Sequence, residues 1–277
     1  MLKRITIYYK NHGLLNLSKK FISKFIVLLG LVEDVPQARI RISNKIYDMC
    51  KGIVKYGPLK GLKLDINDMN WSQADLGSIL LGIYEKEVLD ELEIISKDKS
   101  IFCDIGAADG IYGVGLLVNE LFDKSICFEI DKKGQNNIKN LSNKNNLAHR
   151  VKILDEASVS SMQSMKDIDW NDACILIDIE GEEFNFINSD LLEVVCRSNL
   201  IIEIHDNYMQ HPEKSKKDLE NILETKFSIK KIKTKSRDLS NISEVEYFHD
   251  NDRWLLCSEG RGWLMEWWIC KPLTDLS

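Results

Sequence analysis

Five short apolar runs recur along the chain from about residue 98 onward, each with an acidic residue at or near its end. Near-continuous hydrophobicity is typical of parallel strands that helices cover on both faces, whereas a half-exposed strand alternates apolar and polar residues. Longer mixed segments separate the runs, as in consecutive βαβ units. The pattern therefore predicts an α/β fold, doubly wound around a mostly parallel sheet.

The predicted elements follow one another at regular intervals. The predicted parallel strands comprise residues 100–105, 125–131, 151–155, 174–180 and 200–206. The predicted helices comprise residues 112–121, 132–143, 182–195 and 212–225. Two further apolar runs, residues 227–233 and 267–270, are expected to close a sheet of seven strands.

Charge is divided unevenly along the 277 residues. Residues 1–60 contain twelve Lys and Arg against three acids, and the remaining residues contain 25 basic against 40 acidic side chains. An acidic body lacks the basic surface that a phosphate backbone requires, so no nucleic-acid partner is expected. A small molecule or a glycan suits this charge better as a ligand.

A glycine-containing turn, DIGAADG at residues 104–110, joins the first predicted strand to the next helix. Ligands of open parallel sheets lie outside the carboxyl ends of the strands, so a cofactor is expected here. A dinucleotide site requires G-x-G-x-x-G, but Ala108 replaces the middle glycine, and Asp104 and Asp109 would repel a pyrophosphate. S-adenosylmethionine has no phosphate and carries a sulfonium and an ammonium group, which carboxylates favour. The predicted cofactor is therefore S-adenosylmethionine, bound in this turn by Asp104, Gly106, Ala107, Asp109, Gly110 and Tyr112.

The second predicted strand ends in FEID, in which Glu129 follows Gly106 by 23 residues. A carboxylate there accepts hydrogen bonds from both ribose hydroxyls in dinucleotide and S-adenosylmethionine sites alike, and a solvated acid at a strand end is the alternative. Ile130 is assigned to the same site, while Asp131 either joins it or caps the following helix. The adenine amino group is assigned to the residues after the third strand, Asp155, Glu156 and Ala157.

Acids and one histidine stand at the ends of the fourth and fifth predicted strands. Alternation places Asp178 with Glu180 on one face of a strand, and Glu203 with His205 on one face of its neighbour. Methyl transfer to an alcohol requires loss of the hydroxyl proton, and His205 is the predicted base because its ordinary pKa is about 6.5. Glu203 or Asp206 would orient its ring, and Asp178 or Glu180 would bind acceptor hydroxyls. Asp178 is also assigned to the cofactor.

Two other roles stay open for these side chains. A histidine at a strand end is often only a hydrogen-bonded structural residue. Asp178, Glu180, His205 and Asp206 also offer oxygen and nitrogen ligands for a divalent cation, but a sequence does not show whether ligands converge, and no metal site is predicted. Tyr84 and Glu85, also assigned to the cofactor, precede the first strand and would either fold over the site or begin a helix at residues 85–96.

Five blocks of the chain carry a family resemblance. They are LGIYEKEV at residues 81–88, DIGAADGIYG at 104–113, FEID at 128–131, IDIEGEEF at 177–184 and IEIH at 202–205. In this combination the chain resembles the FkbM family of methyltransferases over residues 57–271. The resemblance implies a class I methyltransferase (Rossmann-like) fold, S-adenosylmethionine as methyl donor, and O-methylation of a hydroxyl on a sugar, polysaccharide or polyketide-type metabolite. It also maps the family's motif glutamates onto Glu180 and Glu183, and its strand-5 glutamate and histidine onto Glu203 and His205.

Two other functions are weighed beside an O-methyltransferase. An enzyme that methylates nitrogen in nucleic acid or protein is disfavoured by the acidic body and by the absence of Asn/Asp-Pro-Pro-aromatic after the fourth strand. A non-catalytic scaffold of the same fold is disfavoured because the strand-end acids Asp104, Glu129, Glu180 and Glu203 are present.

The basic N-terminal segment falls outside the resemblance. We assign residues 1–56 to a helical extension and residues 57–277 to the methyltransferase domain. The apolar stretch at residues 21–32 is too short to span a bilayer and Lys24 interrupts it. No secretory cleavage site follows it, so no secretory signal is expected. The seven scattered cysteines are typical of reduced core thiols, and a cytoplasmic location is expected from them. The open roles for this stretch are packing on the domain, contact with a second copy, and peripheral contact with a membrane surface.

Overall fold

One sheet of seven strands organises residues 32–69 and 73–273, the part of the chain that the computed structural model describes. The strands are β1 (Ile101–Ile105), β2 (Lys124–Phe128), β3 (Val151–Leu154), β4 (Ala173–Ile177), β5 (Asn199–Glu203), β6 (Phe227–Lys233) and β7 (Glu266–Pro272). The α-helices are α1 (Val35–Cys50), α2 (Leu76–Leu80), α3 (Lys86–Ile95), α4 (Ile111–Val118), α5 (Lys132–Lys144), α6 (Val159–Ser164), α7 (Glu183–Phe186), α8 (Ser189–Val195), α9 (Pro212–Leu223) and α10 (Asp250–Leu256).

The strand order is β3-β2-β1-β4-β5-β7-β6. Strands β1 to β5 pair in parallel, while β7 lies antiparallel between β5 and β6. The chain winds outward from β1 to β3 and then returns to β4 on the other side of β1, so the switch point lies between β1 and β4. This order confirms the predicted class I methyltransferase (Rossmann-like) fold, and it opens a crevice at the carboxyl ends of β1 and β4.

Two hydrophobic clusters cover the two faces of the sheet, as the continuous apolar runs predicted. In β1 the side chain of Phe102 packs into one cluster, and those of Cys103 and Ile105 pack into the other. In β4 Leu176 and Ile175 divide in the same way. The faces of the central strands are therefore apolar except near their carboxyl ends, where Asp104 in β1 and Glu203 in β5 lie at the same edge of the sheet as the polar residues that follow the strands.

The predicted strands and helices are found close to their expected positions, with two informative differences. Strands β2 and β4 end before the acids that were expected to lie on them, so the residues after Phe128 and Ile177 belong to loops. Strand β5 keeps Glu203 as its last residue, and His205 and Asp206 follow it. The single helix expected at residues 182–195 is two helices, α7 and α8. The break lies at Asn188, which has an extended backbone and accepts a hydrogen bond from the N–H of Leu191 to cap α8.

Residues 32–56 are the described part of the N-terminal extension, and helix α1 forms most of it. Asp34 forms a capping box with Gln37 at its start, and its apolar side packs Ile42 and Ile46 into the cluster that also contains residues of the sheet. The domain boundary at residue 56 stays a prediction. The apolar stretch at residues 21–32 lies outside the described residues apart from Val32. Within the described part of the chain, none of the helices combines the length and apolarity needed to cross a bilayer.

Candidate cofactor and acceptor site

The turn after β1 has the close-packed backbone that its glycines predicted. Gly106 and Gly110 have φ angles of +90° and +80°, and Ala108 between them has +48°. A Cβ atom on Gly106 would lie 1.8 Å from the carbonyl oxygen of Asp178, in the loop after β4. Only glycine fits at position 106, because the turn and the β4 loop touch through their backbones. The left-handed conformation of Ala108 costs on the order of 1 kcal/mol or more.

Glu129 holds this turn in place from the end of β2. Its Oε2 accepts the N–H of Ala108 at 2.7 Å, and its Oε1 accepts the N–H of Asp131 at 2.7 Å. Each oxygen keeps a second lone pair, so the carboxylate can still accept hydrogen bonds from ribose hydroxyls. The next side chain, Ile130, is apolar and yet 75% exposed. The end of β2 thus presents a fixed carboxylate beside an apolar surface.

Two acids assigned to the cofactor turn inward. Asp104 is buried, and its Oδ2 accepts the N–H of Gly113 at 3.1 Å. Burial raises the pKa of Asp104 to about 7, although the hydrogen bond from Gly113 works in the opposite direction. Asp109 is also buried, and its Oδ1 accepts a hydrogen bond from Asn137 Nδ2 at 2.9 Å. These acids brace the turn against α4 and α5, and direct cofactor contact by either stays a prediction.

The residues after β3 lie at the surface. Asp155 forms an ion pair with Lys132 and accepts a hydrogen bond from Gln135 Nε2 at 2.7 Å. Glu156 is exposed and Ala157 is half-buried. Asp131, left open between two roles, accepts the N–H of Lys133 and caps α5. The structure brings the loop after β3 beside the first turn of α5, near the end of β2.

Tyr84 and Glu85 join the site through an arginine that the sequence did not single out. Arg261, in the loop before β7, pairs with Glu85, with Glu203 at 2.5 Å and with Glu259 at 3.0 Å. It also donates weakly to the Tyr84 hydroxyl at 3.5 Å. Burial and the nearby Glu203 raise the pKa of Glu85 to about 8, while Arg261 opposes the shift. No local pattern marks Arg261, because its partners are distant in sequence.

Glu85 also links the start of α3 to the cofactor turn. It occupies the N-cap position with φ of +43° but makes no side-chain cap. Instead its Oε2 accepts a hydrogen bond from the hydroxyl of Tyr112 at 2.5 Å. Tyr112 lies in the first turn of α4, so the segment that holds Glu85 begins a helix and also closes against the cofactor turn. Both roles considered for it are compatible with this position.

Four side chains converge at the ends of β4 and β5. His205 Nε2 lies 3.7 Å from Asp178 Oδ1, 3.7 Å from Glu180 Oε2 and 3.8 Å from Glu203 Oε1. The expected pairing by alternation along a strand is wrong for Asp178 and Glu180, because β4 ends at Ile177. A left-handed backbone at Glu180, with φ of +53°, turns the loop instead. The residues that the sequence grouped are together, but a loop brings them there.

Glu183 supports His205 from below this cluster. It is fully buried, and its Oε1 accepts the backbone N–H of His205 at 2.7 Å while its Oε2 accepts that of Gly181 at 2.9 Å. The same Oε1 lies 3.4 Å from His205 Nδ1. On the opposite side the ring of Tyr208 stacks on the imidazole, with centroids 5.9 Å apart. The imidazole is therefore fixed in position and in plane.

The acids of the cluster change its titration. Burial and the carboxylates of Glu203 and Glu85 hold the pKa of Asp178 well above its usual range. Burial lowers the pKa of His205, but the carboxylates of Glu183 and Glu203 more than offset this, and the pKa is raised above its usual value. Without a bound ligand, His205 is therefore protonated over a wider pH range than a histidine with the ordinary pKa that its predicted role as a base assumes.

Aromatic side chains border the cluster on its solvent side. The rings of Tyr208 and Trp263 meet edge to face with centroids 6.2 Å apart, and both side chains are about half exposed. By contrast Trp267 and Trp268 are buried in β7 and serve the core. Tyr208 and Trp263 therefore form an open aromatic wall beside His205.

Comparison with known proteins gives matches among solved structures. No family model matches the chain, and no curated protein matches it. The O-methyltransferase from Bacillus cereus in complex with SAH is 12% identical with a TM-score of 0.46, over 90% of this chain and 97% of that chain. A putative O-methyltransferase from Klebsiella pneumoniae is 10% identical with a TM-score of 0.45, over 90% and 96%. A putative tRNA (m1A22) methyltransferase from Streptococcus pneumoniae, in complex with S-adenosyl-L-methionine, is 14% identical with a TM-score of 0.43, over 68% and 75%. At these identities the matches identify no substrate for this chain.

Proposed function

We propose that the protein is an S-adenosylmethionine-dependent O-methyltransferase that acts on a hydroxyl of a sugar, polysaccharide or related metabolite. The observation that carries the proposal is the set of carboxylates around the crevice between β1 and β4. Glu129, Asp178 and Glu85 stand on three different segments that meet there. Burial raises the pKa of Asp178 and Glu85, and so does the neighbouring carboxylate of Glu203. That second effect indicates concentrated negative charge, so a cationic ligand would be bound more favourably than an anionic one.

The residues present fit S-adenosylmethionine part by part. Glu129 would accept hydrogen bonds from the ribose hydroxyls, and the exposed side chain of Ile130 offers an apolar surface for the adenine. Asp178 and Glu85 would face the positively charged methionine portion. When bound, S-adenosylmethionine supplies a methyl group on a sulfonium centre. The close backbone contact between Gly106 and the loop after β4 shapes the floor of this site.

The acceptor belongs at the cluster around His205. Methyl transfer depends on holding the acceptor oxygen in line with the methyl carbon, and the fixed side chains of this cluster can do so. Glu180, with its side chain 72% exposed, can bind an acceptor hydroxyl. The aromatic wall of Tyr208 and Trp263 can pack against the face of a sugar ring. The resemblance to the FkbM family supports the same acceptor class.

Calorimetric titration with S-adenosylmethionine and with NAD tests the cofactor. We expect S-adenosylmethionine to bind and NAD not to bind, because acids at the turn repel a pyrophosphate. Binding of NAD without binding of S-adenosylmethionine would end the proposal.

Transfer of a radiolabelled methyl group into fractionated glycans, small metabolites, RNA and protein tests the acceptor. Label in glycans or sugar metabolites, stable to mild base as an ether is, is the expected result. Label confined to RNA or protein would contradict the proposed acceptor class. For His205→Ala we expect retained cofactor binding and lost transfer.

A further inference from the structure

Three side chains at the ends of β4 and β5 direct one ligand atom each into a shared space. The carboxylates of Asp178 and Glu203 and the imidazole of His205 supply atoms that all lie within 4.8 Å of one another. The distances from His205 Nε2, 3.7 Å to Asp178 and 3.8 Å to Glu203, are too long for hydrogen bonds. They suit two ligands of one cation, which stand about 3 to 4.5 Å apart when each is about 2.0 to 2.6 Å from the ion.

The surroundings of the His205 imidazole are a second indication that a ligand binds among these side chains. The residue is 3% exposed, and its Nδ1 is buried without a hydrogen-bond partner among the described residues. Its Nε2 faces the oxygens of Asp178, Glu180 and Glu203 at 3.7 Å or more. A buried imidazole without close polar partners is unfavourable: a ligand among the carboxylates would satisfy Nε2, and Glu183 Oε1, 3.4 Å from Nδ1, could satisfy the other nitrogen.

Glu183 supplies the arrangement that metal-binding histidines commonly have. A carboxylate beside the remote ring nitrogen takes the hydrogen bond of its N–H and turns the lone pair of the other nitrogen toward the ion. Glu183 Oε1 stands 3.4 Å from Nδ1, within a small ring movement of a hydrogen bond. Nε2 would then face three carboxylates at 3.7 Å or more, too far for an N–H on Nε2 to donate a hydrogen bond to any of them, whereas a cation between them could bind Nε2 and the carboxylates together.

The negative charge of the cluster is only partly balanced by positively charged side chains, so the cluster can accept a cation. Within the described residues, Asp178 has no Lys or Arg partner, and its ion-pair contact is with His205 alone. Arg261 donates to Oε1 of Glu203, the oxygen that lies 3.8 Å from His205 Nε2, and a carboxylate oxygen has a second lone pair with which it could bind a cation.

We propose that Asp178, Glu203 and His205 bind one divalent cation at the acceptor side of the site. Two carboxylates and one imidazole suit Mn²⁺, which accepts both oxygen and nitrogen ligands. This departs from the sequence, which predicted no metal site, and His205 becomes a ligand instead of the base.

The role of the cation rests on the proposed function. Three protein ligands leave coordination positions open, and an acceptor hydroxyl bound there has a lowered pKa. Its proton passes to the carboxylate of Glu180 and from there to water. The acceptor oxygen then forms a bond to the methyl carbon as the carbon–sulfur bond breaks, and the electron pair of that bond stays on the sulfur.

Titration of the metal-free, full-length protein with Mn²⁺ alone tests the site, with free Mn²⁺ measured by its electron paramagnetic resonance signal. We expect one ion per chain, bound at least about tenfold more weakly by Asp178→Asn and His205→Gln. Glu182→Gln is the matched control, since it removes an exposed acid of the same loop outside the cluster. It should bind as the wild type does.

Pulsed measurements on the wild-type complex keep the test independent of how the variants fold. Coupling of Mn²⁺ to an imidazole nitrogen is expected. The absence of this coupling, or of saturable binding below about 1 mM, would overturn the proposal. So would equal loss of affinity in Glu182→Gln, which would indicate attraction by net charge alone.

Titration with S-adenosylmethionine in the presence of EDTA separates this proposal from the proposed function. Cofactor binding with undiminished methyl transfer in EDTA would refute the catalytic cation and leave the methyltransferase intact. Absence of cofactor binding with and without Mn²⁺ would refute the proposed function, while nitrogen-coupled Mn²⁺ would still establish the site.

Discussion

Replacement of Asp104 by asparagine tests how much the ionised carboxylate of Asp104, buried beneath the cofactor turn, lowers the free energy of unfolding. Asp104 is 3% exposed, and burial raises its pKa from 3.8 to about 7. A carboxyl with a raised pKa in the folded state binds its proton more tightly there. The fold is therefore destabilised progressively as pH rises from the unfolded pKa to the folded one. Above pH 7 the cost reaches its full value, about 4 kcal/mol for about three pK units.

Asparagine has nearly the same shape, keeps an oxygen that can accept the N–H of Gly113 and carries no charge. We therefore expect Asp104→Asn to be more stable than the wild type at pH 8. The difference in the free energy of unfolding should grow by about 2 kcal/mol between pH 5.5 and pH 8, from the same pKa values. Titrating groups that do not interact with Asp104 are common to the two proteins and cancel in this difference.

Urea unfolding without cofactor at several pH values provides the measurement. The exposed Asp167→Asn should stay within about 0.5 kcal/mol of the wild type throughout. A difference for Asp104→Asn that does not change with pH would refute the reasoning, because it would show that burial does not destabilise the ionised carboxylate. A variant less stable than the wild type at pH 8 would do the same.

Three further substitutions test the site. Gly106→Ala places a Cβ 1.8 Å from a carbonyl oxygen at a φ of +90° and should lower the free energy of unfolding by about 3 kcal/mol or more. In the control Gly262→Ala the new Cβ meets nothing within 4 Å, and the free energy of unfolding should stay within about 0.5 kcal/mol of the wild type. Equal effects would contradict the packing described for the turn. Glu129→Ala should weaken S-adenosylmethionine binding by at least about tenfold in calorimetry, from the loss of hydrogen bonds to a charged group, and unchanged affinity would remove its assigned role. Arg261→Met leaves the buried carboxylates of Glu85 and Glu203 unpaired and should destabilise the protein by about 3 to 5 kcal/mol at pH 8. The loss should be smaller at pH 5.5, below the raised pKa of Glu85, where a proton neutralises that carboxylate, and a pH-independent loss would contradict this explanation.

The sequence by itself determined the fold class and grouped residues of the candidate site that the structure brings together. Apolar periodicity is a local property, so it located the strands of the sheet within a few residues. The turn at residues 104–110 could be predicted for the same reason, because glycine itself permits the positive φ angles that Gly106 and Gly110 adopt. The resemblance to the FkbM family grouped Glu180, Glu203 and His205, which the structure brings together.

Only the tertiary structure decided how these side chains interact. Arg261 pairs with Glu85 and Glu203, which precede it by 176 and 58 residues, and no local pattern reports such a contact. The pKa of His205 was assumed to be ordinary, but it depends on burial and on Glu183, both of which require the folded chain. Periodicity shows which residues are buried; the distances between polar side chains at the ends of strands depend on how loops close in three dimensions.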